Sequence, residues 1–199
     1  MKPILIDIPE VITTPRLILQ MPKAHMGQGL YEAMLDGYED YVEKLSWDPT
    51  PPTAEEIEIH CRKHHAEFIL RGFIRYIIIE KSSNLVIGRC ALPPNQINWK
   101  VPQFEIAYFV RRSMRGKGYA SEAAHALTLM AFEILKAKKV EIYADADNLP
   151  SSGVAKNLNF KLEYKQRGGW PRPDGQLAHL ETYSMFTPND LPELEIEWG

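Results

Sequence analysis

One segment constrains the fold more than any other. The run QFEIAYFV (103–110) precedes a basic glycine loop, and an alanine-rich stretch leads on to a second run, VEIYADA (140–146). Aromatic and β-branched residues favour strands, so both runs predict strands. Between them Ala120, Ala123, Ala124, Leu127, Met130, Ala131 and Ile134 fall on one helical face, and LKAKK closes the stretch with cations. Those cations suit a helix C-terminus, and the apolar stripe must be buried against a neighbouring layer. The segment therefore predicts a strand-helix-strand crossover.

The flanking chain adds strands and helices around that crossover. ITTPRLILQ (12–20) predicts a first strand, and the spaced apolar residues of 23–45 predict one or two helices. After the breaker DPTPP, Thr53 and Glu56 form a capping box that opens a helix to about Arg71. FIRYIIIE (73–80) and LVIGRCAL (85–92) flank KSSN as an antiparallel hairpin, and PPNQINWK follows as a loop. PSSGVAKNLNF predicts a short helix; KLEYKQR and AHLETYSMF predict two last strands around a loop, GGWPRPDGQL. The fold class is α+β, with a mixed, mostly antiparallel sheet. Residues 11–187 are expected to form one domain, with 188–199 an acidic C-terminal tail.

Charge makes the basic loop a local feature. The whole chain carries a net charge of −3 over 199 residues, which argues against a general nucleic-acid or membrane binder. The two cysteines, Cys61 and Cys90, have no metal-ligand spacing, and His60 and His64 lack a third placed ligand, so no metal is expected. MKPILIDIPE is too short and polar for a signal peptide, and no apolar run approaches the ~20 residues that span a bilayer. The expectation is a cytoplasmic protein.

The loop crowds Arg111, Arg112, Arg115 and Lys117 beside Gly116 and Gly118. It joins a strand to a helix, which places Gly116, Lys117, Gly118, Tyr119, Ala120 and Ser121 at a helix N-terminus. Unpaired amides and the positive end of the dipole make that position an anion site, above all for phosphate. A Walker loop needs Ser or Thr after the lysine, and Gly118 stands there; a dinucleotide fingerprint needs three glycines at another spacing. The plainer alternative is a solvated basic turn.

RGKGYA resembles the coenzyme A pyrophosphate loop of the GNAT (GCN5-related N-acetyltransferase) superfamily: Arg or Gln, two residues, Gly, one residue, then Gly or Ala. Arg115, Gly118 and Ala120 meet it. NLPSSGVAKNLNF is similar to the family's Asn-x-x-Ser…Leu-Gly-Phe segment through Asn148, Ser151, Leu158 and Phe160, with Asn159 replacing the glycine. TTPRLIL, EIAY and GYASEA together look like the ribosomal-protein N-terminal acetyltransferases, the RimJ/RimL-like subgroup, over about residues 11–187. Ala155 occupies the position where many members carry a tyrosine general acid.

The resemblance implies a GNAT-like domain whose sheet of about seven strands splays near its centre, flanked by helices. It implies an acetyl-CoA-dependent N-acetyltransferase, with direct attack by a primary amine in a ternary complex. Backbone groups near Phe109 and Val110 would meet pantetheine, and Asn148 would hold that arm or the Ser151 loop. Glu105 is the candidate general base, with a solvent-facing strand residue the alternative. Ser151 is the candidate acid, or a helix-start residue, and Tyr183 is the next choice. Trp170 would line the acceptor pocket or anchor its loop. The acceptor is a peptide N-terminus or a small-molecule amine such as a polyamine, amino acid or antibiotic, and the protein is a monomer or homodimer. Rival readings are a non-catalytic acyl-CoA-binding module and a nucleotide-binding protein.

Overall fold

The computed structural model describes residues 2–45, 47–93, 99–172 and 174–199. The chain begins with two short strands, β1 (Val11–Thr13) and β2 (Leu17–Gln20), and then three helices, α1 (Gly27–Leu35), α2 (Tyr38–Leu45) and α3 (Ala54–Ile69). Thr53 and Glu56 cap α3 reciprocally, each accepting from the other's backbone N–H. The hairpin β3 (Ile74–Glu80) and β4 (Leu85–Leu92) follows, and then β5 (Gln103–Glu105) and β6 (Ala107–Val110). The amphipathic stretch forms α4 (Tyr119–Glu133), followed by β7 (Lys139–Asp145), α5 (Leu149–Asn157), β8 (Lys161–Pro171), β9 (Leu177–Met185) and β10 (Glu197–Trp198). Most of the expected loop over 93–100 lies outside the described residues.

The strand expected over 103–110 breaks at Ile106, and that break divides the β-structure. β10, β1, β2, β3, β4 and β6 form a six-stranded sheet, and β5, β7, β9 and β8 a four-stranded one. The splayed sheet expected here is thus ten strands in two sheets, to each of which the run 103–110 gives one strand. β5 runs parallel to β7, and the Ile106 N–H donates to Glu141 O at 2.9 Å. Beyond that bond β6 turns to pair with β4, while β7 from Ile142 to Asp145 pairs with β9. The expected splay is this V.

Two apolar clusters cover the faces of the larger sheet. Ala123, Ala124, Leu127, Met130 and Ala131 of α4 pack with Tyr76, Ile78, Ile87 and Val110. On the other face Leu30, Ala33, Met34, Tyr41, Ile57 and Cys61, from α1 to α3, pack with Ile77 and Phe109. The alternation along β3 and β6 sends neighbouring residues to opposite clusters, as a pleated strand requires.

Two connections differ from the sequence expectation. Gly168, Gly169, Trp170 and Pro171, expected in a loop, belong to β8, with an irregular register between Gln166 and Trp170. A bulge admits glycine and proline into a strand without loss of pairing beyond it. The acidic tail returns to the sheet: Trp198 pairs with Ile12 and Glu197 with Thr13, while Leu191 and Ile196 pack on the core. Asn159 takes the left-handed conformation the missing glycine would have supplied, at φ 62°.

Candidate active site

Gly118 is the N-cap of α4, at φ 82°, and Gly116 is also left-handed, at φ 76°. These two turns let the chain double back onto the helix without steric cost. Glu122 makes the first helical bond, its N–H donating to Gly118 O at 3.0 Å. Among the described residues nothing accepts from the six N–H groups of Gly116, Lys117, Gly118, Tyr119, Ala120 and Ser121. A Cβ on Gly116 would meet no atom within 4 Å, and one on Gly118 would meet only Arg16 Nη2, at 3.3 Å. Open space at both glycines and a run of unpartnered amides at a helix N-terminus fit an anion such as a pyrophosphate.

The arginines of this loop hold it in place. Arg111 Nε pairs with Asp36 at 2.8 Å, and Arg112 bridges Glu39 at 3.0 Å and Asp40 at 3.1 Å. Arg115, expected as countercharge, donates from Nε to Val110 O at 3.0 Å, pairs with Asp40 and lies 5.0 Å over the Tyr41 ring. The bond from Arg112, aided by Arg115, lowers the Asp40 carboxyl to about 2 against the opposing effect of burial. The basic loop is therefore docked on α2 and the residues before it. Lys117 forms no ion pair among the described residues, though its charge reaches Glu80; its ammonium lies 3.3 Å from Met114 Sδ.

A cation that the sequence pattern did not single out stands beside these amides. Arg16 donates from Nη1 to Lys117 O at 2.8 Å, pairs with Glu122 at 2.6 Å and stacks 4.7 Å over Tyr119. Its side chain remains 49% exposed. The contact joins residues about a hundred positions apart, so no local pattern announces it.

The open edge of β6 lies in the splay. Arg111 N–H donates to Ile87 O at 2.8 Å, and Phe109 is opposite Arg89 in the same register. Backbone groups alternate along an antiparallel strand, so those of Tyr108 and Val110 point away from β4 and into the V. Tyr41 Oη occupies Val110 O at 2.8 Å, which leaves the Val110 N–H. Phe109 turns its backbone to β4 and its ring to the opposite face, 5.4 Å from Tyr41 and 5.8 Å from Trp47.

Across the V stands α5. Asn148 caps it, its Oδ1 accepting from the Ser151 N–H at 3.4 Å, so Asn148 shapes the turn that presents Ser151. Tyr108 Oη lies 3.2 Å from Ser151 O and 3.3 Å from Ser151 Oγ. Burial raises the Tyr108 phenol to about 12 despite the bond to Ser151. Ala155, at the position of the family's frequent tyrosine, is buried in the core.

Glu105 ends β5 at the root of the V, opposite Glu141. Burial, and then the neighbouring Glu141 charge, raises its carboxyl to about 7. Tyr183, the other candidate acid, is buried and donates to Glu181 at 2.7 Å. Trp170 pairs with Ala178 along β8. The His64 ring is held 2.6 Å from Arg75 and 5.9 Å from the ring of His60.

A splayed sheet with a run of unpartnered amides at the head of the helix between its halves is the architecture of an acyltransferase-type scaffold. The sequence profile of the acetyltransferase (GNAT) domain matches residues 16–161, and the chain belongs to that family. An N-acetyltransferase from Bacillus licheniformis, p20, is 32% identical over 112 residues, or 56% of this chain and 61% of p20, so the match spans under two thirds of that relative. A coenzyme A complex of RimL, a ribosomal alpha-N-protein acetyltransferase, superposes with a TM-score of 0.79 at 20% identity, over 90% of this chain and 99% of that one. The microcin C7 self-immunity acetyltransferase MccE, in complex with acetyl-CoA and AMP, gives 0.77 at 17% identity, over 87% and 93%. These likenesses establish the GNAT fold. No helix among the described residues is long and apolar enough to cross a membrane.

Proposed function

We propose that this chain is an acetyl-CoA-dependent N-acetyltransferase acting on a primary amine by direct attack in a ternary complex. The observation that carries the reading is the run of six unpartnered amides at the head of α4, beside the open edge of β6. The two fold neighbours described with coenzyme A or acetyl-CoA bound support the same co-substrate. Bound acetyl-CoA would supply an activated acyl group.

The chain's own residues supply the rest. The amides of Gly116 to Ser121, with Lys117 and Arg16, hold the pyrophosphate. The Val110 N–H, aimed into the V, polarises a carbonyl placed there as an oxyanion-hole donor does. Glu105, with a carboxyl at about 7, accepts the proton an ammonium must lose before it attacks, directly or through water. Ser151 Oγ, held by the cap of Asn148 and by Tyr108, donates to the departing thiolate. Resemblance to the ribosomal-protein subgroup favours a polypeptide N-terminus as acceptor and a cytoplasmic setting.

Incubation of the purified protein with acetyl-CoA, alone and then with a library of amines and peptides, tests this reading. Acceptor-dependent release of free thiol is the expected result. Tight binding of acetyl-CoA without turnover on any amine overturns it and leaves a binding module.

A further inference from the structure

Two arginines on the helix-covered face of the larger sheet have no acidic partner. Arg75 of β3 is 8% exposed, and its Nε is buried with no hydrogen-bond partner. Its Nη1 meets the His64 ring at 2.6 Å, and its guanidinium lies 4.1 Å over Phe73. Arg89 of β4 is half-buried and lies 5.3 Å over Phe109 and 5.9 Å over Trp47. No carboxylate among the described residues forms an ion pair with either one; Glu67, the acid that most affects Arg75, lies beyond ion-pair distance of it. Arg89 is opposite Ile77 and Arg75 is two residues before it, so the two cations are diagonal neighbours on one face.

That arrangement is unusual for a merely structural pair. Buried arginines are ordinarily matched to carboxylates, and unpaired ones are costly to keep. Burial and then the Arg89 charge lower Arg75 to about 9 against the opposing pull of the Glu67 charge, and the His64 ring, lowered to about 3 by burial and by Arg75, supplies no countercharge. The coenzyme's phosphates are not the missing anion, because their amide cradle heads α4, which covers the opposite face. Phe109 ties the pair to the reaction centre. It is opposite Arg89, and its neighbours Tyr108 and Val110 line the V.

We propose that Arg75 and Arg89 form an anion subsite for the acceptor, and that the amine it takes bears an anionic oxygen group, a carboxylate or a phosphate. This deepens the acetyltransferase reading and rests on it. An amine attacking directly must enter the V from the side that the coenzyme does not fill, and on that side Arg89 sits one strand from the open edge. Its fork is the contact, framed by Phe109 and Trp47; Arg75 stands behind it and adds field. The pair selects acceptors by charge while Glu105 serves the amine.

Matched acceptors test the proposal: glutamate against glutamine, a peptide beginning with Glu against one beginning with Gln, and phosphoethanolamine against ethanolamine. At least one acidic member is expected to exceed its neutral partner in kcat/KM, and the preferred pair tells carboxylate from phosphate. Arg89→Gln should raise KM for that acceptor by about 30-fold or more, leave kcat and acetyl-CoA affinity unchanged, and spare neutral amines. Its melting temperature should stay close to that of the wild type or exceed it, since it relieves the repulsion between Arg89 and the buried Arg75; Arg89→Lys should restore part of the affinity. Equal use of acidic and neutral members, or an unchanged preference in Arg89→Gln, overturns the subsite. Calorimetry of the acidic probes against wild type and Arg89→Gln needs no turnover. Anion binding lost in the variant upholds the subsite even if no amine is acetylated, an outcome that would sink the parent reading alone. No anion binding in wild type removes the subsite.

Discussion

The Tyr108 phenol spans the splay between the sheets, 3.2 Å from Ser151 O and 3.3 Å from Ser151 Oγ. It joins the open edge of β6 to the first turn of α5, the two walls between which the acyl arm would lie. Tyr108→Phe removes this link without emptying the site. It should lower kcat by roughly tenfold, about the worth of one hydrogen bond, with acetyl-CoA affinity unchanged. Ser151→Ala should cost about 10²- to 10⁴-fold, and adding Tyr108→Phe to it should cost little more. Independent, multiplying effects would show that Tyr108 does not act through Ser151.

Glu105 sets the expected pH profile. With its carboxyl at about 7, the rate should climb as pH rises through neutrality and level off above it. Glu105→Gln should lose that limb together with most of the rate. The same raised value weakens the fold at alkaline pH: its contribution is full below about 4.5 and is lost as pH rises through about 7. Glu105→Gln should therefore melt higher than wild type at pH 8 and nearly level with it at pH 4. A wild-type pH profile in the variant would remove Glu105 from the proton path.

Gly118 has two separable requirements, its left-handed φ of 82° and the open space at its α-carbon. Gly118→Asn tolerates the φ and adds a side chain, so it should fold normally and bind acetyl-CoA more weakly. Gly118→Val adds steric strain of about 1–2 kcal/mol and should lower the melting temperature as well. Calorimetry paired with thermal melts separates the two effects. Wild-type affinity in a folded Gly118→Asn variant would move the pyrophosphate elsewhere.

Asp40 anchors the basic loop through Arg112 and Arg115. Its lowered carboxyl contributes stability that is present above its ordinary value of 3.8 and lost as pH falls toward about 2. Asp40→Asn should remove that acid-range loss and lower the melting temperature at neutral pH. It should also weaken acetyl-CoA binding several-fold, because the loop that carries the unpartnered amides loses its anchor. Unchanged binding would mean that the glycine turns hold their shape unaided.

Local pattern accounts for much of this protein. The capping box at Thr53, the hairpin around KSSN and the glycine turn before α4 are short-range features, each satisfied within a few residues of its own sequence, and the period of α4 marks the face that packs on the sheet. The unpartnered amides proposed to hold an anion were legible for the same reason: amides at a helix N-terminus lack partners by construction, whatever the rest of the fold does. Asn159 in place of glycine reads equally well, since its φ of 62° is a property of the turn alone.

Roles that depend on distant partners were set by tertiary packing. Arg115 looked like a phosphate ligand within its motif, and its guanidinium is taken by Asp40 and Val110 O once α2 packs against the loop. Phe109 and Val110 looked equivalent as neighbours, but strand alternation against β4 sends only one backbone into the V. Tyr108 on Ser151, Arg16 at the loop and Arg89 without an acid belong to contacts between remote segments. The sequence by itself determined where helices, turns and the unpartnered amides at the head of α4 form, because periodicity and capping act over one or two turns of chain. Only the tertiary structure decided which charges are spent on one another and which stay available, because a side chain's free valence depends on whatever folds against it.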